Sequence, residues 1–204
     1  NILHNAKAIS ASLSIAVNDI AGGHLALQYA FGLSVITSHL YSGASVRLTN
    51  YSFSDSEFWK LVRADEITHL PGVPFHFQTM LRFGLERLKI PSVNSVAQAG
   101  GALDLESKKK LYDWMNSCHG RLYIMYGQTE AAPRISTLQP EQFINSPNSV
   151  GQSLLDGRIE ILNPDQDGVG EVIYTGPNVM MGYAETRSDL ISEDSMHNKL
   201  NTGD

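Results

Sequence analysis

The sequence predicts an α/β fold: a mostly parallel sheet flanked by helices, followed by a smaller antiparallel β subdomain. Three observations carry this. Short apolar runs alternate with helix-periodic segments through the first two-thirds of the chain, the pattern of strand–helix–strand units. The last third instead holds two strands of alternating polarity, residues 158–162 and 171–174, joined by a loop rich in turn formers. Composition shifts between them near residues 140–149, which divides the chain into 1–140 and 141–204.

Taken in order, residues 5–17 place Ile9, Leu13 and Val17 at four-residue spacing, predicting a helix that ends at Gly22-Gly23. Residues 31–41 read as a second helix and 44–48 as a short strand. Ser54-Asp55-Ser56-Glu57 has the S-x-x-E form of a capping box before Phe58, Leu61 and Val62, so a helix starts there. Residues 67–70 form a brief buried strand before Pro71-Gly72. Pro74 suits the first turn of a helix that carries Phe77, Met80 and Leu81 inward. Residues 93–97 read as a strand ending at Gly100-Gly101. Residues 105–115 are a helix with Leu111, Trp114 and Met115 as its stripe, and 122–126 are a strand.

The chain has 204 residues, 42% hydrophobic and 18% charged, with a net charge of −6. That is too apolar for disorder and long enough to bury roughly 70% of the unfolded surface. The acidic balance argues against a nucleic-acid or anionic-membrane surface, though not against a phosphate-bearing small molecule. The longest apolar run, residues 31–36, falls well short of the ~20 residues that span a bilayer. No signal peptide is visible. Cys118 is the only cysteine, so no disulfide forms within the chain, and a reducing, cytoplasmic compartment is expected. The chain opens at Asn1 and stops at Asp204 without a tail, and reads as cut at both ends.

Familiar signatures are missing: no G-x-x-x-x-G-K-[ST] loop, no G-x-G-x-x-G after a strand, no H-E-x-x-H, no G-x-S-x-G elbow. His69 and His76 flank a proline–glycine turn and read as structural or solvated. Three clusters remain. Ala99-Gly100-Gly101-Ala102 lies at a strand end, where open α/β sheets bind ligands; the glycines either admit a flat ligand or simply make a tight turn. Tyr126-Gly127-Gln128-Thr129-Glu130 follows a strand directly. It offers an aromatic face, a hydroxyl donor for phosphate and a hard carboxylate for magnesium, or else is a surface loop. The third is the run from Gly170-Glu171 to Gly182-Tyr183, with Thr202-Gly203-Asp204 further on. Its final carboxylate is able to accept two ribose hydroxyls.

These clusters, in this order, resemble the adenylate-forming superfamily: acyl-CoA synthetases, luciferases and the adenylation domains of peptide synthetases. Met125-Tyr126-Gly127-Gln128-Thr129-Glu130-Ala131 resembles its aromatic-glycine-x-threonine-glutamate signature. The Gly170-to-Tyr183 run resembles its glycine-glutamate…glycine-tyrosine signature, and Asn201-Thr202-Gly203-Asp204 its threonine-glycine-aspartate signature. Tyr29-Ala30-Phe31-Gly32-Leu33-Ser34 is similar to the segment lining the acyl pocket.

The resemblance implies that a carboxylic acid and ATP give an acyl-adenylate, and that a thiol, either coenzyme A or a carrier-protein phosphopantetheine, then takes the acyl group. It gives Thr129 and Glu130 the catalytic roles, Thr129 donating to the α-phosphate and Glu130 holding Mg2+. Tyr126 would stack on adenine of ATP or AMP, with Gly127 and Gln128 beside it. Gly100, Gly101 and Ala102 would form the adenine wall, and Asp204 would bind the ribose. Gln28, Tyr29, Gly32 and Leu33 would line the acid pocket, with Ser34, Leu70 and Val73 as further candidates. Many members carry histidine or another aromatic where Gln28 stands. The family's phosphate loop is expected before Asn1 and its mobile lysine-bearing domain after Asp204. These 204 residues alone are therefore expected to adenylate slowly or not at all. A non-catalytic nucleotide-binding domain of the same fold is the alternative, and a generic α/β interaction module the remote one.

Overall fold

The computed structural model describes residues 1–204. Helix α1 (Ile2–Leu13) is capped by the Asn1 side chain and ends at Ser14 in the left-handed region, so it stops four residues short of the Val17 expected from spacing. Strand β1 (Ile20–Gly23), helix α2 (Ala30–Tyr41) and strand β2 (Ser45–Leu48) form the first strand–helix–strand unit. Helix α3 (Ser56–Ala64) then leads to β3 (His69–Gly72), α4 (Pro74–Phe83) and the short α5 (Leu85–Leu88) to β4 (Ser95–Gln98), and α6 (Leu105–Ser117) to β5 (Arg121–Gly127).

All pairs among β1 to β5 are parallel. Strands β6 (Arg134–Leu138) and β7 (Gln152–Ser153) add an antiparallel edge, giving the order β2-β1-β3-β4-β5-β6-β7. The three-stranded antiparallel sheet is β8 (Arg158–Leu162), β9 (Glu171–Thr175) and β10 (Lys199–Asn201), with β9 central.

The two faces of the large sheet follow from the period of two in its strands. Val96, Leu122 and Ile124 face one core with Phe58, Val62, Phe77, Met80, Leu111 and Met115 from α3, α4 and α6. Their neighbours Ala97, Ala99, Tyr123 and Met125 face the other, with Ala8, Ile9 and Leu13 of α1. A sheet covered on both faces needs near-continuous apolar strands, which β4 and β5 supply.

Several expectations shift. The Ser54–Glu57 capping box does not form: α3 begins at Ser56 after Asp55, whose carboxylate accepts from the Ser52 amide at 2.7 Å instead. The strand expected at residues 67–70 lies two residues later, at β3, because it must register with Ser95 to Gln98 of β4. The division at 140/141 falls inside the connection between β6 and β7 of one sheet, and the antiparallel sheet begins only at Arg158. Leu70 is fully buried in the α3/α4/α6 core rather than at a pocket surface. No helix is long and apolar enough to cross a membrane.

Candidate functional site

The chain runs from β1 to β2 on one side and then crosses back to β3 on the other, so the strand order reverses beside β1. In open α/β sheets ligands bind beyond the carboxyl ends of strands near such a reversal. The loops after β4 and β5 and the start of α2 gather there. A cavity of about 220 Å³ is lined by Tyr29, Phe31, Gly100, Gly127, Thr129 and Arg134, among others. A second, about 240 Å³, is lined by Asn1, Ile2, Ala30, Leu33, Ser34, Thr37, Thr129 and Ala132. Ala30 and Thr129 belong to both.

Two glycines make the first cavity possible. Gly100 has φ +72°, and a β-carbon there would come within 3.0 Å of Val73. At Gly127 a β-carbon would collide with the carbonyl of Pro133, because β5 bulges between Tyr126 and Gly127 and the chain doubles back tightly into β6. Gly101 and Ala102 are exposed and border neither cavity; the Gly101 carbonyl accepts from Gln98 Nε2 at 2.7 Å, which fixes the loop.

Tyr126 and Asp204 meet directly. The phenol donates to the Asp204 carboxylate at 2.5 Å, and Gln128 Nε2 donates to the same oxygen at 3.0 Å and to the Thr202 carbonyl at 2.8 Å. Burial, then the acceptor Asp204, push the Tyr126 phenol up to about 12. The glycine–glutamate and threonine–glycine–aspartate segments are tied together as well. The Val172 amide donates to the Asp204 carbonyl at 3.0 Å, Thr202 Oγ donates to the Val172 carbonyl at 2.8 Å, and the Gly203 amide donates to Glu171 at 3.3 Å.

The turn Thr129–Ala131 is held from the segment that follows β9. Tyr183 donates to Glu130 Oε1 at 2.7 Å, and the Met180 amide to the Glu130 carbonyl at 2.7 Å. Buried Asn178 donates to the Ala131 carbonyl at 2.5 Å and the Arg134 carbonyl at 3.0 Å, while accepting from Tyr174 at 2.7 Å. Thr129 makes no side-chain hydrogen bond, so its hydroxyl is free for a ligand where both cavities meet. No three His, Cys, Asp or Glu side chains converge into a metal cage. Glu130 is a single hard oxygen donor, which fits Mg2+ held by one carboxylate plus phosphate oxygens and water.

Of the acid-pocket candidates, Tyr29 lines the first cavity, Leu33 and Ser34 the second, and exposed Gln28 neither. Gly32 is a packing glycine: a β-carbon there would lie 2.5 Å from the Ala26 carbonyl oxygen. Val73 packs under Gly100. Phe31, which the sequence offers only as part of the Tyr29-to-Ser34 segment, lines the first cavity, and Arg134, which the sequence analysis did not single out, lines it too. The available signal was an arginine opening the run Arg134-Ile135-Ser136-Thr137-Leu138, every residue of which is buried. His69 is buried against Ser95, and the His76 ring nitrogen accepts from the Val73 amide at 3.2 Å, so both are structural.

A profile of the family described as AMP-binding enzyme matches residues 1–184. A 2-succinylbenzoate–CoA ligase of Staphylococcus aureus (strain MSSA476) is 27% identical over 159 residues, 78% of this chain and 31% of that protein. Its counterpart in Staphylococcus epidermidis is 26% identical over 183 residues, 90% of this chain and 37% of that protein. Among solved structures, VinN superposes on the whole chain with a TM-score of 0.78 at 29% identity, over 51% of its own length. The o-succinylbenzoate CoA synthetase of Bacillus subtilis, in complex with its acyl-adenylate intermediate, gives 0.80 at 25% identity over 41% of its length. The chain thus spans about a third of the curated relatives and about half or less of these structures.

Proposed function

Because the chain belongs to the AMP-binding enzyme family, we propose that it is the nucleotide- and acid-binding core of an ATP-dependent ligase, one that activates a carboxylic acid as its acyl-adenylate and passes the acyl group to a thiol. The observation that carries this reading is the meeting of Tyr126, Gln128 and Asp204 beside a cavity walled by Gly100, Gly127 and Thr129. A stacking ring, a ribose-binding carboxylate and a phosphate-facing hydroxyl are the three groups an adenylate needs.

In this reading the acid enters beside Tyr29 and Leu33, and its carboxylate oxygen attacks the α-phosphorus, displacing pyrophosphate. Negative charge builds on the phosphate oxygens, and Thr129 donates to it; such fixed donors act where charge develops. Glu130, oriented by Tyr183, would hold Mg2+, which supplies positive charge against the phosphates. Tyr126 covers adenine, and Asp204 exchanges the phenol for the ribose hydroxyls. The thiol is coenzyme A or a carrier-protein phosphopantetheine; the coenzyme A ligases among the relatives favour the former. The exposed, unpaired Cys118 fits a cytoplasmic setting.

A further part of this reading is that these 204 residues alone exchange little pyrophosphate. Arg134 is the one cationic side chain in either cavity, and no lysine borders Thr129. Calorimetric titration with AMP tests the core claim. Micromolar-to-millimolar binding that is lost in Asp204→Ala is expected; undiminished binding in that variant overturns it.

A further inference from the structure

Arg134 is the most anomalous charge in the molecule. It is 3% exposed, yet none of the ion pairs includes it. Its backbone is fully used: the amide donates to Asn5 at 3.2 Å, and the carbonyl accepts from Asn5 at 2.9 Å and from Asn178 at 3.0 Å. Its guanidinium donates to nothing in the protein, and Nε is buried with no partner. The guanidinium carbon sits 4.9 Å from the centroid of the Phe31 ring. Phe31 lines the same cavity, so the ring presents one face to the ion and leaves the edge donors unused.

A buried ion without a counter-ion is costly, and the ordinary remedies are pairing or neutralisation. Neutralisation is unavailable, since arginine keeps its proton at neutral pH. The neighbouring ionisable groups offer no anion. Burial, then the neighbouring His39 and the positive charges of Arg121 and Arg134, hold His69 well below its ordinary range, and desolvation holds His39 below its own. The compensating charge therefore has to arrive with the ligand.

Resting on the acid-ligase reading above, we propose that Arg134 sets substrate class: it binds a second carboxylate, at the end of the acid opposite the one that is activated, so that the preferred substrate is a small dicarboxylic acid. The guanidinium fork matches a carboxylate through two parallel hydrogen bonds, a geometry a lone lysine does not reproduce. Asn5 and Asn178 clamp the peptide from two sides, which fixes where the fork points. The far end of the acid would lie beside Tyr29 and Phe31, which line the cavity together with Arg134.

The test is a calorimetric titration of the chain, with and without AMP, using succinate, glutarate and adipate against butyrate, valerate and hexanoate. Dicarboxylates are expected to bind at least tenfold tighter than monocarboxylates of equal length. Arg134→Met should erase that difference while AMP still binds, and Arg134→Lys should restore only part of it. Equal binding of the two series, or an unchanged preference in Arg134→Met, overturns the proposal. Absent AMP binding with the dicarboxylate preference intact would instead overturn the nucleotide reading alone. Should Arg134→Met not fold, the wild-type Nε–H resonance of Arg134 provides the second readout. It is expected to shift with succinate and not with butyrate, and a shift common to both, or to neither, refutes the assignment.

Discussion

Replacing Arg134 with methionine should make the ligand-free protein more stable, not less. Burial alone lowers the guanidinium pKa to about 9, from an ordinary range above 12. At about 1.4 kcal/mol per tenfold, that fall corresponds to a desolvation penalty on the order of 4–5 kcal/mol. The contact with Phe31 returns about 1–2 kcal/mol of it. Methionine keeps the unbranched apolar stem but ends short of the guanidinium, so it loses both terms and leaves a small void that costs about 1 kcal/mol; the expected net gain is about 2 kcal/mol. For a domain of this size each kcal/mol moves the midpoint by about 2–4 °C, so Tm should rise by about 4–8 °C. Differential scanning calorimetry of both proteins without ligand measures it. Succinate should then raise the wild-type Tm and leave the variant's unchanged, since only the wild type gains a partner for its ion. A variant that melts at or below the wild type would mean that the guanidinium is already satisfied in the free protein, and the reasoning would fail.

Three other outcomes follow from the geometry. Asn178→Ala strips the Ala131 carbonyl and the Tyr174 hydroxyl of buried partners, and at about 1–3 kcal/mol for each group left unmet the urea midpoint should fall markedly, with weaker AMP binding as the Thr129 turn loosens. Tyr126→Ala should weaken AMP about 5- to 100-fold, whereas Tyr126→Phe, which keeps the ring and loses only the bond to Asp204, should cost less than about threefold; equal losses in calorimetry would refute stacking. Stability should also decline in acid. Burial, then the nearby His76, hold His24 down to about 3, and burial holds His39 and His69 below their ordinary range. Each folded value lies below the unfolded value near 6.5, so below that pH the unfolded chain takes up protons the native state refuses. Stability is full above about pH 6.5 and falls as pH drops, by about 2 kcal/mol for His24 at pH 5. A urea midpoint flat from pH 7.5 to 5, or a slope unchanged in His24→Phe, would contradict this.

Apart from β1, whose Gly22-Gly23 read as a helix end rather than as strand, the parallel half of the fold was legible because its strands are short apolar blocks between amphipathic helices, a pattern local to each segment. Val96, Leu122 and Ile124 announce one face and Ala97, Tyr123 and Met125 the other before any pairing is known. Strand β6 was not legible in the same way. Its five residues include Arg134, Ser136 and Thr137, which look solvent-facing until β5, β7 and α1 close over them. The third strand of the small sheet, Lys199–Asn201, is too short to carry a period of its own and exists because β9 offers it a free edge. Local cues also misplaced the start of α3, where Asp55 turned its carboxylate back onto Ser52.

The same contrast holds at the site. Tyr126, Gln128, Thr129 and Asp204 stand out because they sit in glycine-punctuated loops where chemistry-bearing residues are few. That Tyr126 and Asp204 touch, 78 positions apart, follows only from β9 aligning residues 171–172 beside 202–204. Gln28 and Gly32 drew attention by their neighbours in sequence, yet the turn into α2 sends one outward and packs the other on Ala26. Arg134 escaped notice because what marks it is a missing partner, and absence of a partner is visible only in three dimensions.

One peptide group joins three distant stretches of the chain. The carbonyl of Arg134 receives Asn5 from the first helix and Asn178 from beyond the ninth strand. Anyone grafting a new acid preference onto this scaffold by exchanging only the stretch around residues 129–138 would therefore import a cation whose moorings stay behind. Transplants that carry all three positions together should keep their selectivity, and piecemeal ones should lose it even with every wall residue in place.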